Sequence, residues 1–158
     1  MNRFLVTPAG YEKLVADLKY EKEINRPNIV RDIEEARAHG DISENSEYED
    51  AKERQSLCEG RIAMLENQMA SAEIIDVAKL PPSERVVFGT TVTIENVDTD
   101  EERTWKIVGE NEADVENRQI SYKSPIGRAL IGKEVGEEVP VQTPGGKQTW
   151  EIVGVEYK

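Results

Sequence analysis

The chain has one cysteine, Cys58, one histidine, His39, only 6% aromatic residues and no apolar run long enough to cross a bilayer. Each scarcity removes a class of function. A single thiol rules out an intrachain disulfide and a cysteine-based metal cluster, so the cytosol is the simplest compartment. Phe4, Leu5 and Val6 are the only consecutive apolar residues before Thr7-Pro8, so the expectation is a soluble protein without an export signal. Basic residues are outnumbered, 20 Lys and Arg against 32 Asp and Glu, for a net charge of -12. Duplex nucleic acid is repelled by most of such a surface, and any contact must be local, at a basic patch.

What the chain does contain falls into two kinds of text. Its 158 residues, 37% apolar and 33% charged, suit one ordinary globular domain or two small ones. From Thr7 to about Ile75 the residues are helix formers, rich in Glu, Lys, Ala, Leu and Arg. From Val86 onward β-branched runs alternate with Gly, Asp and Asn. The intervening Lys79-Leu80-Pro81-Pro82-Ser83 can neither continue a helix nor join a sheet ladder. The expected division is therefore a helical domain over 1–78, a linker over 79–83 and an α+β domain over 84–158.

Thr7 suits the N-cap of the first helix and Pro8 its first position, with Val6 and Tyr11 spaced as a hydrophobic staple. Its apolar positions are Leu14, Leu18, Ile24, Ile29, Ile33 and Ala36, and Pro27 should kink or restart it. The second helix carries a heptad seam at Tyr48, Ala51, Gln55, Cys58, Ile62, Leu65, Met69 and Ala72. Cys58 there reads as a small core residue. Two such helices joined by a short turn bury their seams by folding back as an antiparallel coiled-coil hairpin. Gly40 suits the left-handed residue that ends the first helix, and Asp41 or Ser43 suits the cap of the second. At about 1.5 Å per residue, an arm of about 30 residues reaches roughly 45 Å. A plain spacer or a dimerisation coiled coil is the competing meaning of the heptads.

The second half predicts strands over 86–97, 103–108, 120–122, 139–143 and 148–157, with a helical turn over 125–132 and a hairpin turn over 143–147. This is an antiparallel sheet with a small helix. Trp105 and Trp150 read as core anchors rather than as platforms for bases.

The chemistry concentrates at the turn between the helices. Asp41, Glu44 and Glu47 recur every three residues there. One reading is structural, with Asp41 as cap and Glu44 closing a capping box. The other is a carboxylate pair delivered at a distance. Magnesium is usually held by one or two carboxylates plus waters and phosphates, so an exposed pair binds it weakly alone but can complete a site whose remaining ligands belong to a partner. His39 beside them reads as solvated or hydrogen-bonded. Arg37, Lys52 and Arg54 either pair with Glu34, Glu49 and Asp50 or hold the phosphates of a short single strand.

The segments His39-Gly40-Asp41-Ile42-Ser43-Glu44-Asn45-Ser46-Glu47-Tyr48, Cys58-Glu59-Gly60-Arg61-Ile62, Ser124-Pro125-Ile126-Gly127-Arg128-Ala129-Leu130-Ile131-Gly132-Lys133 and Thr143-Pro144-Gly145-Gly146 resemble the Gre family of bacterial transcript-cleavage factors. The resemblance extends over essentially the whole chain. Ile42 stands where leucine is usual and Ser46 where alanine is common, both shape-preserving changes. The resemblance implies a coiled coil that enters the secondary channel of RNA polymerase and an FKBP-like C-terminal domain that docks at the channel rim. It implies cleavage of the RNA 3′ segment by the polymerase in backtracked complexes, with Asp41 and Glu44 helping to hold a second Mg2+ and its hydrolytic water.

Ser43, Asn45 and Tyr48 would then shape the tip, and Arg37, Lys52 and Arg54 would contact the RNA 3′ end. The sparse basic residues favour the family branch with the smaller basic patch, which is associated with short products. The implied protein is a monomeric cytoplasmic cofactor of the polymerase rather than an enzyme. It binds no cofactor alone, shares Mg2+ with the polymerase, and has no membrane association and no sequence-specific DNA binding. A channel-binding regulator without cleavage and a prolyl isomerase are the competing readings. The isomerase is disfavoured because the second half has too few aromatics for an evident proline pocket.

Overall fold

The structure, a computed structural model, describes residues 3–40 and 45–158. The chain divides into two compact units. One is helical and spans Tyr11–Ala72; the other joins Arg3–Gly10 to Glu73–Lys158.

The boundary expected at 78/79 is therefore displaced. Strand β1 (Phe4–Val6) pairs with β2 (Ala72–Ile74), so the chain's first strand and residues 73–78, read from sequence as part of the helical domain, belong with the sheet unit. Their backbone needs partners, and Ile75 N donates to Val6 O at 2.9 Å. Thr7 caps the following helix α1 (Pro8–Tyr20) by accepting from Gly10 N at 3.0 Å. The Glu112 carboxylate in turn accepts from Thr7 N at 3.1 Å, from the Thr7 hydroxyl and from Gly109 N at 2.9 Å.

In the helical unit, α1 runs through a π-helical turn at Glu21–Asn25 into α2 (Arg26–Ala38), and α3 (Ser46–Ser71) returns. Pro27 restarts the helix as expected: it sits in the first turn of α2, where a missing N–H costs little. The turn before it widens so that Arg26 N donates to Glu21 O, five residues back. Ion pairs fix the hairpin's direction. Asp32 meets Arg54 (3.0 Å), Arg26 meets Glu59 (2.7 Å) and Lys22 meets Glu66 (3.7 Å), the outgoing numbers falling as the returning ones rise.

Ile29, Ile33, Ala51, Cys58 and Ile62 form the seam, with Leu18 and Tyr48 packed against it. Ile24, expected inside, is 51% exposed. The widened turn shifts the helix face at that point, and Glu21 takes the buried position instead.

The sheet unit has strand order β5-β4-β3-β7-β6, from β3 (Thr91–Asn96), β4 (Glu102–Val108), β5 (Gln119–Ser121), β6 (Glu138–Thr143) and β7 (Gly146–Glu156). The expected strand at 86 begins only at Thr91, because residues 86–90 turn through Gly89 (φ +91°). One pairing departs from the antiparallel expectation. Strand β5 runs parallel to β4, because the intervening segment 109–118 carries the chain back along β4 in two short 3-10 turns before β5 begins.

Helix α4 (Pro125–Leu130), capped by Ser124, contacts β5 and β6. A Cβ at Gly127 would collide with the Ser121 carbonyl, so this position requires glycine. Val92, Ile94, Ile107, Leu130, Val139, Trp150 and Ile152 lie in the core. Trp150 is the anchor expected, whereas Trp105 packs against the core with an indole N–H that lacks an acceptor among the described residues.

Candidate functional site

The hairpin's turn is built by two glycine- and asparagine-specific devices. Helix α2 ends with His39 N donating to Ala36 O (3.2 Å) and Gly40 N to Arg37 O (3.3 Å). Gly40 has φ +110° with open space around it, so backbone conformation rather than crowding demands glycine. The N-cap of helix α3 is Asn45, not Asp41 or Ser43. The Asn45 Oδ1 accepts from Glu47 N (3.0 Å) and Tyr48 N (3.1 Å), while its Nδ2 donates to Ala36 O (2.7 Å). One side chain thus caps the start of α3 and the end of α2 together.

This corrects the capping box read from the sequence. The cap of α3 is an amide four residues beyond Asp41, and Glu47 and Glu49 supply the acids of its first turn. Asp41, Ser43 and Glu44, together with Ile42, lie outside the described residues, between the anchored Gly40 and Asn45.

Below the turn, Asp32, Glu35, Ala36, His39, Glu47, Asp50 and Arg54 line a cleft of about 230 Å³. Its side chains are predominantly acidic. Arg54 crosses the hairpin to Asp32 at 3.0 Å and lies 3.3 Å from Asp50, so of the ion pairs expected with Glu34, Glu49 and Asp50 only the last forms. Lys52 donates to Gln55 at 2.9 Å, and Arg37 is exposed without an ion-pair partner among the described residues. Tyr48 packs on the seam and ties the first turn of α3 to the arm. No three His, Cys, Asp or Glu side chains among the described residues converge closely enough to hold a metal ion.

A second polar cluster, not read from the sequence, lies at the π turn. Glu21 is buried and accepts from Asn25 Nδ2 (2.6 Å), Arg61 Nε (2.9 Å) and the Cys58 thiol (3.3 Å). Burial alone would raise the Glu21 pKa. The hydrogen bonds from Asn25, Cys58 and Arg61 outweigh it, so the carboxyl sits below its ordinary value of 4.5. Burial, then the Glu21 carboxylate, push the Cys58 thiol up, keeping it protonated. A buried, protonated thiol is inert, in keeping with a core role. The signal in the sequence was an Arg three residues after Cys58, but nothing in heptad grammar places a carboxylate opposite it.

The described chain combines a helical hairpin, with acids around its turn, and a small mixed sheet. The family model "Transcription elongation factor, N-terminal" matches residues 4–74 and "Transcription elongation factor, GreA/GreB, C-term" matches residues 81–157. The chain therefore belongs to the GreA/GreB family of transcription elongation factors.

It is similar to the transcription elongation factor GreA of Francisella tularensis subsp. novicida (strain U112), with 54% identity over 157 residues, covering 99% of this chain and 98% of that one. GreA of Francisella tularensis subsp. holarctica (strain LVS) matches with the same identity and coverage. Among solved structures, GreA factor homolog 1 (Gfh1) of Thermus thermophilus is 29% identical, covering 98% of this chain and 99% of that one, with a TM-score of 0.44.

Proposed function

We propose that this elongation factor binds bacterial RNA polymerase, inserts the acidic turn of its hairpin into the secondary channel, and stimulates the polymerase's own cleavage of RNA 3′ ends in backtracked or arrested complexes. Elongation then resumes from the new 3′ end. One observation carries the reading beyond family membership: Asn45 supplies the α3 cap, so the helix does not need Asp41 or Ser43 for that purpose.

Asp41 and Glu44 add oxygen ligands to the polymerase's active site, where Mg2+ supplies the hydrolytic chemistry of phosphodiester cleavage. The protein has no catalysis of its own and acts as a monomeric cytoplasmic cofactor. Arg37 and Lys52, without acidic partners among the described residues, meet the phosphates of the RNA 3′ end, and Arg54 joins them by exchanging its pairs with Asp32 and Asp50. The sheet unit is read as FKBP-like and as the part that docks at the channel rim. Ser43, Asn45 and Tyr48 shape the turn.

The test is transcript shortening in a stalled elongation complex, with polymerase binding measured alongside. Asp41→Ala combined with Glu44→Ala should abolish shortening while binding persists. Full activity of the double variant would sink the metal role, and wild-type protein that binds without ever shortening backtracked RNA would favour a channel-binding regulator.

A further inference from the structure

The sheet unit carries an unfilled edge. Strand β5 covers β4 only from Lys106 to Val108, so among the described residues the stretch Glu102–Trp105 has β3 on one side and no strand on the other. The direction of its backbone groups follows from two hydrogen bonds. Ile107 N donates to Thr90 O toward β3, and Lys106 N donates to Arg118 O on the opposite side. By the alternation of a strand, the N–H and C=O of Thr104 project with those of Lys106, to the open side. A cavity of about 370 Å³ lies along this edge, lined by Thr104, Trp105, Val115 and Arg118 with Glu102, Arg103 and Glu116.

Three further features belong to residues that line the cavity. The Trp105 Nε1–H is shut off from solvent with no acceptor among the described residues, an unsatisfied donor of a kind native folds seldom keep. Val115, at 69% exposure, is the most exposed large apolar side chain among the described residues. Arg118 is held at φ +59°, one of two described non-glycine residues with positive φ, and its guanidinium makes no ion pair among the described residues.

We propose that this edge is a docking site for an extended segment of a partner polypeptide, which adds as a short strand beside Glu102–Trp105, sets an apolar side chain against Val115 and presents a carboxylate to Arg118. Main-chain groups of both kinds at Thr104 call for an occupant that offers both an acceptor and a donor, as a polypeptide does and a small anion does not. Glu102 and Glu116 in the lining also oppose a free anion. Arg118 supplies the complementary charge for one acidic side chain, while the net charge of -12 opposes pairing with a second copy of the chain. The site is built from residues of the sheet unit alone and does not depend on the hairpin's role.

The experiment uses the full-length protein labelled with ¹⁵N and the capped peptide acetyl-Thr-Val-Glu-Val-Thr-amide, since main-chain pairing tolerates sequence. On titration the Trp105 indole N–H and the Thr104 amide should shift and the Thr104 amide should gain exchange protection. The Trp150 indole, already bonded to Gln148 at 3.2 Å, should stay in place.

Thr104→Pro removes the outward donor without touching the β3 ladder and should weaken binding about tenfold, the worth of one good hydrogen bond. An unmoved Trp150 resonance certifies its fold. Arg118→Ala should weaken the glutamate peptide and leave its glutamine version unchanged. Three results would overturn the assignment: no shift at Thr104 and Trp105, equal binding by Thr104→Pro, or the same shifts produced without peptide by raising protein concentration, which would mark the edge as self-pairing.

Discussion

The sheet unit and the hairpin bury their interiors by different means. Ten buried residues from strands, loop and α4 close one apolar cluster around Trp150 and Leu130 in the sheet unit. The hairpin's cluster has five, and the next seam position toward the start of the chain is a carboxylate, Glu21. Two helices offer a single shared stripe, so few positions can be covered on all sides. Hydrogen bonds across the seam therefore do part of the holding there. In the sheet unit they chiefly tie segments together, as Glu112 does with Thr7 and Gly109.

The largest effect should come from the sheet core. Trp150→Ala removes a buried indole and the ring under Arg103, 5.4 Å away, and should cost about 3–5 kcal/mol in urea or thermal unfolding. In the hairpin, Ile62→Val should cost only about 0.5–1.5 kcal/mol. Equal losses at the two sites would break the contrast between a closed core and a stripe.

The Glu21 cluster sharpens the contrast. Glu21→Ala leaves Arg61, Asn25 and the Cys58 thiol without their acceptor and should destabilise the protein by about 1–3 kcal/mol. Glu21→Leu fills the space with apolar atoms but still leaves Arg61 unpaired, so only together with Arg61→Leu, which replaces both partners of the ion pair, should it be close to neutral. The pH dependence has a fixed sign. The Glu21 carboxyl is depressed in the folded state, so its stabilisation is complete above the ordinary value of 4.5 and is lost as pH falls through the folded value below it. Unfolding of wild type and Glu21→Leu measured from pH 7 to pH 3 should show wild type losing more stability over the acid range. Parallel curves would remove the carboxylate from the account.

The difference between the units also marks what was legible in the sequence. Seam positions Ala51, Cys58, Ile62 and Leu65 could be read because a regular helix repeats its face. Ile24 could not, because the π turn changes the repeat where Pro27 restarts the helix. In the second half the strand cores were visible, but the parallel β5 was not: strand direction is set by the path of segment 109–118, and local composition carries no sign of it. At the turn, residue type pointed to Asp41 or Ser43 as the cap and passed over Asn45. Only geometry shows that the same amide must also reach Ala36 O.

That double contact supports a small stability effect with a second readout. Asn45→Ala removes both bonds and should cost about 1 kcal/mol, the usual worth of a helix cap. Asn45→Asp separates the two halves. It keeps an acceptor for Glu47 N and Tyr48 N but turns a carboxylate oxygen toward the Ala36 carbonyl, replacing attraction with repulsion. A cap that served α3 alone would be as stable with aspartate as with asparagine, because the two are near equals at that position. A cap that also closes α2 should make Asn45→Asp less stable than wild type in urea unfolding. Because Gly40 and Asn45 bracket the residues that carry the acids, the same variant should lower transcript cleavage more than polymerase binding, whereas a purely structural lesion would lower the two together.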